Sequence, residues 1–282
     1  MRPARRPFAG AAAIALAAPA LAGCAGSTPA AAPSCTVRAG EQGWALGPDQ
    51  AANAATIANV GLRRGLPEQA AAIALATSLQ ESKLRNLPYG DRDSLGLFQQ
   101  RPSQGWGSAS QVMDPAYAAG RFYDALTKVP GWQQMSLTEA AQAVQRSAFG
   151  AAYAQGESQA RALAAAFYGQ APAALGCRLG APGPTEPPGP DGLTARAAAA
   201  RTALAAHFPA ASITGQGSTV QVQPVSGASG GWAVASWAVA WAQNLGVVRV
   251  SYDGRTWDRS AKSPDWRPDP AAGPGSVTVV LR

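Results

Sequence analysis

Histidine is almost missing from this 282-residue chain: His207 is the only one. Cysteine occurs three times, and no two cysteines have the close spacing of a zinc knuckle. With so few nitrogen and sulfur ligands, no protein-bound zinc or other transition metal is expected, and neither is a metal hydrolase mechanism. Charged residues are sparse at 14%, and lysine is far rarer than arginine. The formal net charge of +7 is modest and shows no basic run with interleaved aromatics, so no nucleic acid is expected as partner. No cofactor motif is present. Beyond the first 24 residues no apolar run is long enough to span a bilayer.

What is abundant is alanine, together with Pro and Gly in patches. The N-terminus has the layout of an export signal: Arg2, Arg5 and Arg6, then an apolar run from Gly10 to Ala22. Leu21-Ala22-Gly23-Cys24 matches a lipoprotein processing site, which predicts a lipid on Cys24 and a membrane anchor there. Arg5-Arg6-Pro7-Phe8 also fits a loose twin-arginine signal, so the export route stays open between two systems. A plain secretory signal cleaved after Ala22 is the alternative. Residues 1–24 are therefore read as leader and 25–34 as tether. The expected location is extracytoplasmic, on the outer face of the membrane or secreted. In that oxidising setting, acylation of Cys24 leaves Cys35 and Cys177 to pair.

The mature chain divides at Gly180-Ala-Pro-Gly-Pro-Thr-Glu-Pro-Pro-Gly-Pro-Asp191, a stretch that sustains neither helix nor central strand. Residues 35–179 read as a mainly helical domain and 192–282 as a small α+β domain, so the fold class is α+β. Helices are predicted from Pro48 to Arg64 and from Pro67 to Leu84. Asp114-Pro115 opens a third, and Ser136-Leu-Thr-Glu139 is a capping box for a fourth. A fifth runs from Ala151 to Tyr168 and stops at Gly169. Beyond the Pro/Gly segment, helices are expected over 193–207 and 232–245. Strands are expected over 219–225, 247–252 and 277–281, with a tight turn at Asp253-Gly254.

Two short motifs point to chemistry. Glu81-Ser82 closes the second helix, and Gly96-Leu97-Phe98-Gln99 follows in a loop or short hairpin. Ile73, Thr77, Glu81 and Leu84 share one largely apolar helix face, which leans the acid toward the core. Such shelter helps a general acid keep its proton near neutral pH. The plain alternative is a surface ion pair of Glu81 with Arg85, four residues on. Gly96 permits a tight turn, Leu97 and Phe98 can anchor it, and Gln99 offers donor and acceptor to a sugar. Trp106 can stack on a sugar ring or pack in the core. Asp91 and Asp93 are candidates for a second, water-activating carboxylate, or else simple turn caps.

Together the Glu-Ser and Gly-Leu-Phe-Gln pair resembles the soluble lytic transglycosylases and the wider lysozyme-like superfamily, over residues 45–170. The resemblance implies a lysozyme-like fold, Glu81 as catalytic acid/base, and peptidoglycan glycan strands as substrate. It further implies that Gly96, Leu97, Phe98, Gln99, Trp106, Gln145 and Tyr153 belong to the glycan cleft, with Tyr153 bonded to Glu81. The family's Asn-containing motif has no counterpart in Val144-Gln-Arg-Ser-Ala-Phe149. Two functions therefore stay open: a lytic transglycosylase or muramidase, and a peptidoglycan-binding lipoprotein that has lost turnover. The C-terminal part, with Trp232, Trp237 and Trp257, is faintly similar to a domain of secreted actinobacterial wall proteins. Trp237 and Trp241 are expected to face the sheet; Trp257 and Trp266 are expected in loops, where they either pack or serve as sugar platforms, packing being the favoured role for each.

Overall fold

Three strands that carry no strong sequence signal tie the start of the folded chain to the end of its helical half. The structure, a computed structural model, describes Met1 and residues 32–145 and 150–282. The leader with Cys24, the tether to residue 31, and residues 146–149 lie outside the described residues. Strands β1 (Ser34–Ala39), β2 (Gln42–Leu46) and β3 (Leu175–Arg178) form an antiparallel sheet in the order β2-β1-β3. In that register Cys35 lies directly opposite Cys177, and the two form a disulfide across 142 residues of sequence. The pairing expected from export is present, on a strand pair.

Helix α1 (Pro48–Arg63) begins at proline, whose missing N–H is not needed in a first turn. Helix α2 (Glu68–Ser82) is the axis of the helical half. Ala70, Ala71, Ala72, Ala74 and Ala76 are all buried in it beside Ile73 and Leu75. Such small side chains let α1 and the surrounding helices approach closely. Those neighbours are α4 (Pro115–Leu126), α5 (Leu137–Gln145) and α6 (Glu157–Phe167), with the short α3 (Ala109–Val112) beside α4. The expected caps are in place. Asp114 Oδ1 accepts from the Ala116 and Tyr117 amides, both at 2.8 Å. Ser136 and Glu139 bond reciprocally. The expected fifth helix starts late: residues Gly150–Gly156 form a 3₁₀ segment before α6.

The remainder is a six-stranded antiparallel sheet, so the α+β class holds. Its elements are α7 (Ala195–His207), β4 (Ser212–Gln216), β5 (Thr219–Gln223), α8 (Gly227–Ala240), α9 (Ala242–Leu245), β6 (Val247–Tyr252), β7 (Arg255–Asp258), β8 (Arg267–Pro268) and β9 (Val277–Leu281). The strand order is β4-β5-β9-β6-β7-β8. Asp253 and Gly254 both have positive φ, 46° and 74°, and make the tight β6–β7 turn.

Side chains on either side of the Pro/Gly segment share one core. Helix α8 is buried on nearly every side, packing on β6 as well as on β3, α6 and α1. Both Trp257 and Trp266 pack in the core; Trp266 lies in the loop before β8 as expected, and only Trp257 departs from its loop placement. Trp257 lies in β7 with no exposed surface, and its indole N–H donates to the Cys177 carbonyl at 2.9 Å. Trp266 is also buried and donates to the Leu175 carbonyl at 2.8 Å. They are braces against β3, not sugar platforms. Trp237 and Trp241 stack on each other, and the His207 ring of α7 lies tilted against them, 5.0 Å from Trp237 and 6.0 Å from Trp241. Trp232 of α8 packs edge-on against Tyr252 of β6 and Trp266. Arg259 is buried and donates to the carbonyls of Gly180, Ala242 and Val247 and to Gln243 Oε1, fastening the start of the Pro/Gly segment. Among the described residues no helix is long and apolar enough to cross a membrane.

Two predictions follow from this packing. Replacing Cys35 and Cys177 together by Ser should lower unfolding free energy by about 2–5 kcal/mol, because the closed loop is long; urea titration of both proteins measures it. The second concerns His207, whose Nδ1 lies 2.9 Å from Asn59 Oδ1. Burial, and then the Arg63 charge, push its pKa down from 6.5 to about 4. The unfolded chain binds this proton first as pH falls, so the contribution is whole above pH 6.5 and is lost on going down to about 4. The loss amounts to about 3 kcal/mol. His207→Gln, which keeps a donor for Asn59, should flatten the stability profile across that window relative to the parent.

Candidate functional site

Glu81 sits on the last turn of α2, half-buried. Two donors converge on one of its oxygens. The Tyr153 hydroxyl donates to Oε1 at 2.8 Å and Gln145 Nε2 at 3.3 Å. The same Gln145 amide also donates to the Phe98 carbonyl at 3.1 Å. The acid is thus oriented by the end of α5, by the buried ring of Tyr153 and by the loop after α2. Its carboxylate turns to these groups and not to Arg85, so the surface ion-pair alternative does not describe it. Residues 146–149, between Gln145 and Tyr153, lie outside the described residues.

The chain after Glu81 is folded in an unusual way. Lys83 and Leu84 both take left-handed backbone, at φ 56° and 60°, without being glycine. Their N–H groups close the helix onto Leu79 and Ser78. Helix α1 holds the turn from outside: Gln50 Nε2 donates to the Lys83 carbonyl at 2.6 Å and Asn53 Nδ2 to the Leu84 carbonyl at 2.9 Å. Ser82 holds it from inside. Its hydroxyl lies 2.8 Å from the Leu97 carbonyl and 3.1 Å from that of Ser78, with one proton to give. The serine beside the glutamate therefore joins the helix of the acid to the Gly-Leu-Phe-Gln turn. Sequence reasoning quoted Ser82 as part of the motif and gave it no task.

That turn is anchored as expected, which changes the standing of two of its residues. Leu97 and Phe98 have no exposed surface, and Phe98 stacks on Phe122 at 4.9 Å. Their side chains cannot touch a ligand; they belong to the core. Gly96 has φ 77°, and a Cβ there would lie 2.4 Å from the Val112 carbonyl oxygen, so the backbone is wedged against α3. Gln99 spends its donor group on the Tyr89 and Gly96 carbonyls, at 3.3 and 3.2 Å. What Gln99 can offer a ligand is its acceptor oxygen.

Beside the turn runs an open groove of about 680 Å³. Gln99, Trp106 and Gln145 all line it, so three of the expected cleft residues share one wall system. Trp106 is half-buried, which leaves part of its ring exposed there. Glu81 is not among the lining side chains; Gln145 stands between the two descriptions, bonded to one and lining the other. Of the two candidate second carboxylates, Asp93 is already engaged. Asp93 accepts from Arg101 Nε at 2.8 Å and from the Ser103 amide and hydroxyl at 2.8 and 3.0 Å. The Arg101 bond, then the Ser103 bonds, hold its carboxyl well below the usual range, which makes it a poor base. The Asp91 side chain is 91% exposed, 3.9 Å from Arg92. Asp93 is thus tied within its own loop, while the Asp91 side chain points to solvent. Arg121, Lys128 and Asp124 of the groove wall were not anticipated, since they sit on and after α4, outside either motif.

Ser82→Ala removes the donor to a buried carbonyl and should cost about 1–2 kcal/mol, seen as a lower urea midpoint. Ser82→Thr, which keeps the hydroxyl, should recover part of it. Among the described residues no group of three or more His, Cys, Asp or Glu is placed to hold a metal ion. No protein-family model matches the chain, and no curated protein does either, so the chemistry of this site is read from its own side chains.

Proposed function

We propose that the protein is an exported cell-wall glycan-cleaving enzyme in which Glu81 is the general acid and then the general base. The observation that carries this is the pair of donors on Glu81 Oε1, Tyr153 and Gln145, the second of which also lines an open groove of about 680 Å³. With Oε1 occupied, Oε2 is the oxygen that hands a proton to the glycosidic oxygen. Tyr153 is the stronger positioning group, since its ring is buried and its bond is the shorter.

A lone carboxylate favours the transglycosylase route over two-carboxylate hydrolysis. In that route Glu81 protonates the leaving oxygen, then as carboxylate takes the proton of the muramyl 6-hydroxyl, which closes on C1 of its own sugar. No water-activating acid is needed. The engagement of both Asp93 oxygens in its own loop supports this choice. The substrate bond is then the β-1,4 link between N-acetylmuramic acid and N-acetylglucosamine. The Cys35–Cys177 disulfide suits the oxidising compartment in which such a polymer lies. Attachment to the membrane through a lipid on Cys24 would keep the enzyme at the wall.

A second reading, glycan binding without turnover, is favoured by one feature: Glu81 is absent from the lining of the groove. Zymography on purified peptidoglycan separates the two. The parent should clear the gel and Glu81→Gln should not. Tyr153→Phe, which frees Glu81 to rotate, should slow clearing by about 2- to 10-fold, the worth of one hydrogen bond. Equal clearing by the parent and Glu81→Gln removes Glu81 from the mechanism, and no clearing by either leaves the binding reading.

A further inference from the structure

The groove carries more positive charge than its own acid balances. Arg101, Arg121 and Lys128 line it, against Asp124 alone. Asp124 is already shared, with Oδ1 3.0 Å from Arg64 and Oδ2 3.7 Å from Arg121. Arg101 is held by Asp93 at 2.8 Å. Arg121 is committed to the wall as well: Nε and Nη2 donate to the carbonyls of Trp106 and Gly105, at 3.4 and 3.2 Å. Lys128 differs from both arginines. It is exposed in the turn after α4, where its backbone N–H donates to the Ala125 carbonyl. Among the described residues no carboxylate pairs with its ammonium.

We propose that Lys128 receives a carboxylate carried by the glycan, so that the groove selects acidic strands over neutral ones. The proposal rests on the glycan reading of the site and narrows its substrate class. A strand lying along Trp106 and Gln145 meets two kinds of wall: neutral amides near Glu81, which suit hydroxyl and acetamido groups, and an uncompensated cation farther along. Only the second kind distinguishes N-acetylmuramic acid from N-acetylglucosamine. Muramic acid brings a carboxylate from one of two sources: its bare lactyl ether, or the stem peptide that caps it. Chitin has the same β-1,4 backbone and acetamido groups and brings none. Arg121 is a positioning residue in this scheme, holding the main chain at Trp106 against α4.

The test uses the full chain carrying Glu81→Gln, so that polymer is retained and not cut. Co-sedimentation is measured with intact peptidoglycan, with amidase-stripped glycan bearing bare lactyl groups, and with chitin, at low and high salt. Adding Lys128→Ala should weaken retention on the acidic polymers by about two- to fivefold, as one exposed ion pair is worth. Lys128→Glu should weaken it further. Chitin retention should not move, and salt should shrink the difference. A loss confined to intact peptidoglycan assigns the stem peptide as the source; an equal loss on stripped glycan assigns the lactyl group. Equal weakening on chitin, no weakening on any polymer, or no retention of the Glu81→Gln chain at all overturns the proposal. Because retention is read without turnover, a blank zymogram leaves a Lys128 effect standing, and a positive zymogram does not rescue its absence.

Discussion

The hydrogen bond from the Ser82 hydroxyl to the Leu97 carbonyl is the contact on which the site depends. It spans fifteen residues and joins the helix that presents Glu81 to the turn that borders the groove. Beside it, the two left-handed residues in succession, Lys83 and Leu84, are held by their own N–H bonds to Leu79 and Ser78 and by the Gln50 and Asn53 amides. The turn is in its own right a core element, since Leu97 and Phe98 are inaccessible. The acid is therefore set by packing: α2 is fixed by its alanines, the turn by its two apolar side chains, and Ser82 fixes one to the other. Gln145 adds a second tie, since one amide reaches both Glu81 and the Phe98 carbonyl.

The rest of the molecule makes that arrangement stiff. The Cys35–Cys177 disulfide lies on a strand pair, and two buried indoles, Trp257 and Trp266, donate to backbone carbonyls of β3 from the opposite side. Buried indole N–H groups need such partners. The larger sheet is thereby attached to the strand that closes the helical half, with α8 packed against β3, α6 and α1. Its tryptophans thus serve architecture, whereas Trp106 lines the groove.

Much of this was legible in the residues, for physical reasons that can be named. Helix starts and stops at Pro48, Asp114-Pro115, Ser136 with Glu139, and Gly169 are local signals, and local signals are what a sequence displays. The Asp253-Gly254 turn and the two cysteines belong to the same class. The strands β1 to β3 were not legible because each is short and pairs with a partner far away in the chain. Trp257 reads as a loop residue because glycine and aspartate surround it, and the burial of both Trp257 and the loop residue Trp266 is decided by β3, some eighty to ninety residues earlier. Lys83 and Leu84 gave no warning of left-handed backbone, which usually asks for glycine. Glu81, Gln145 and Tyr153 were named in advance from the motif resemblance, but that Gln145 also reaches the Phe98 carbonyl, and that Asp93 is consumed by Arg101 and Ser103, required coordinates.

The account stands or falls on one carboxyl group working unaided by a second acid. Mass spectrometry of the fragments released from purified peptidoglycan measures that directly. The proposed mechanism predicts fragments ending in 1,6-anhydromuramic acid from the parent and none from Glu81→Gln. Fragments with ordinary reducing ends, or the same products from both proteins, would contradict it.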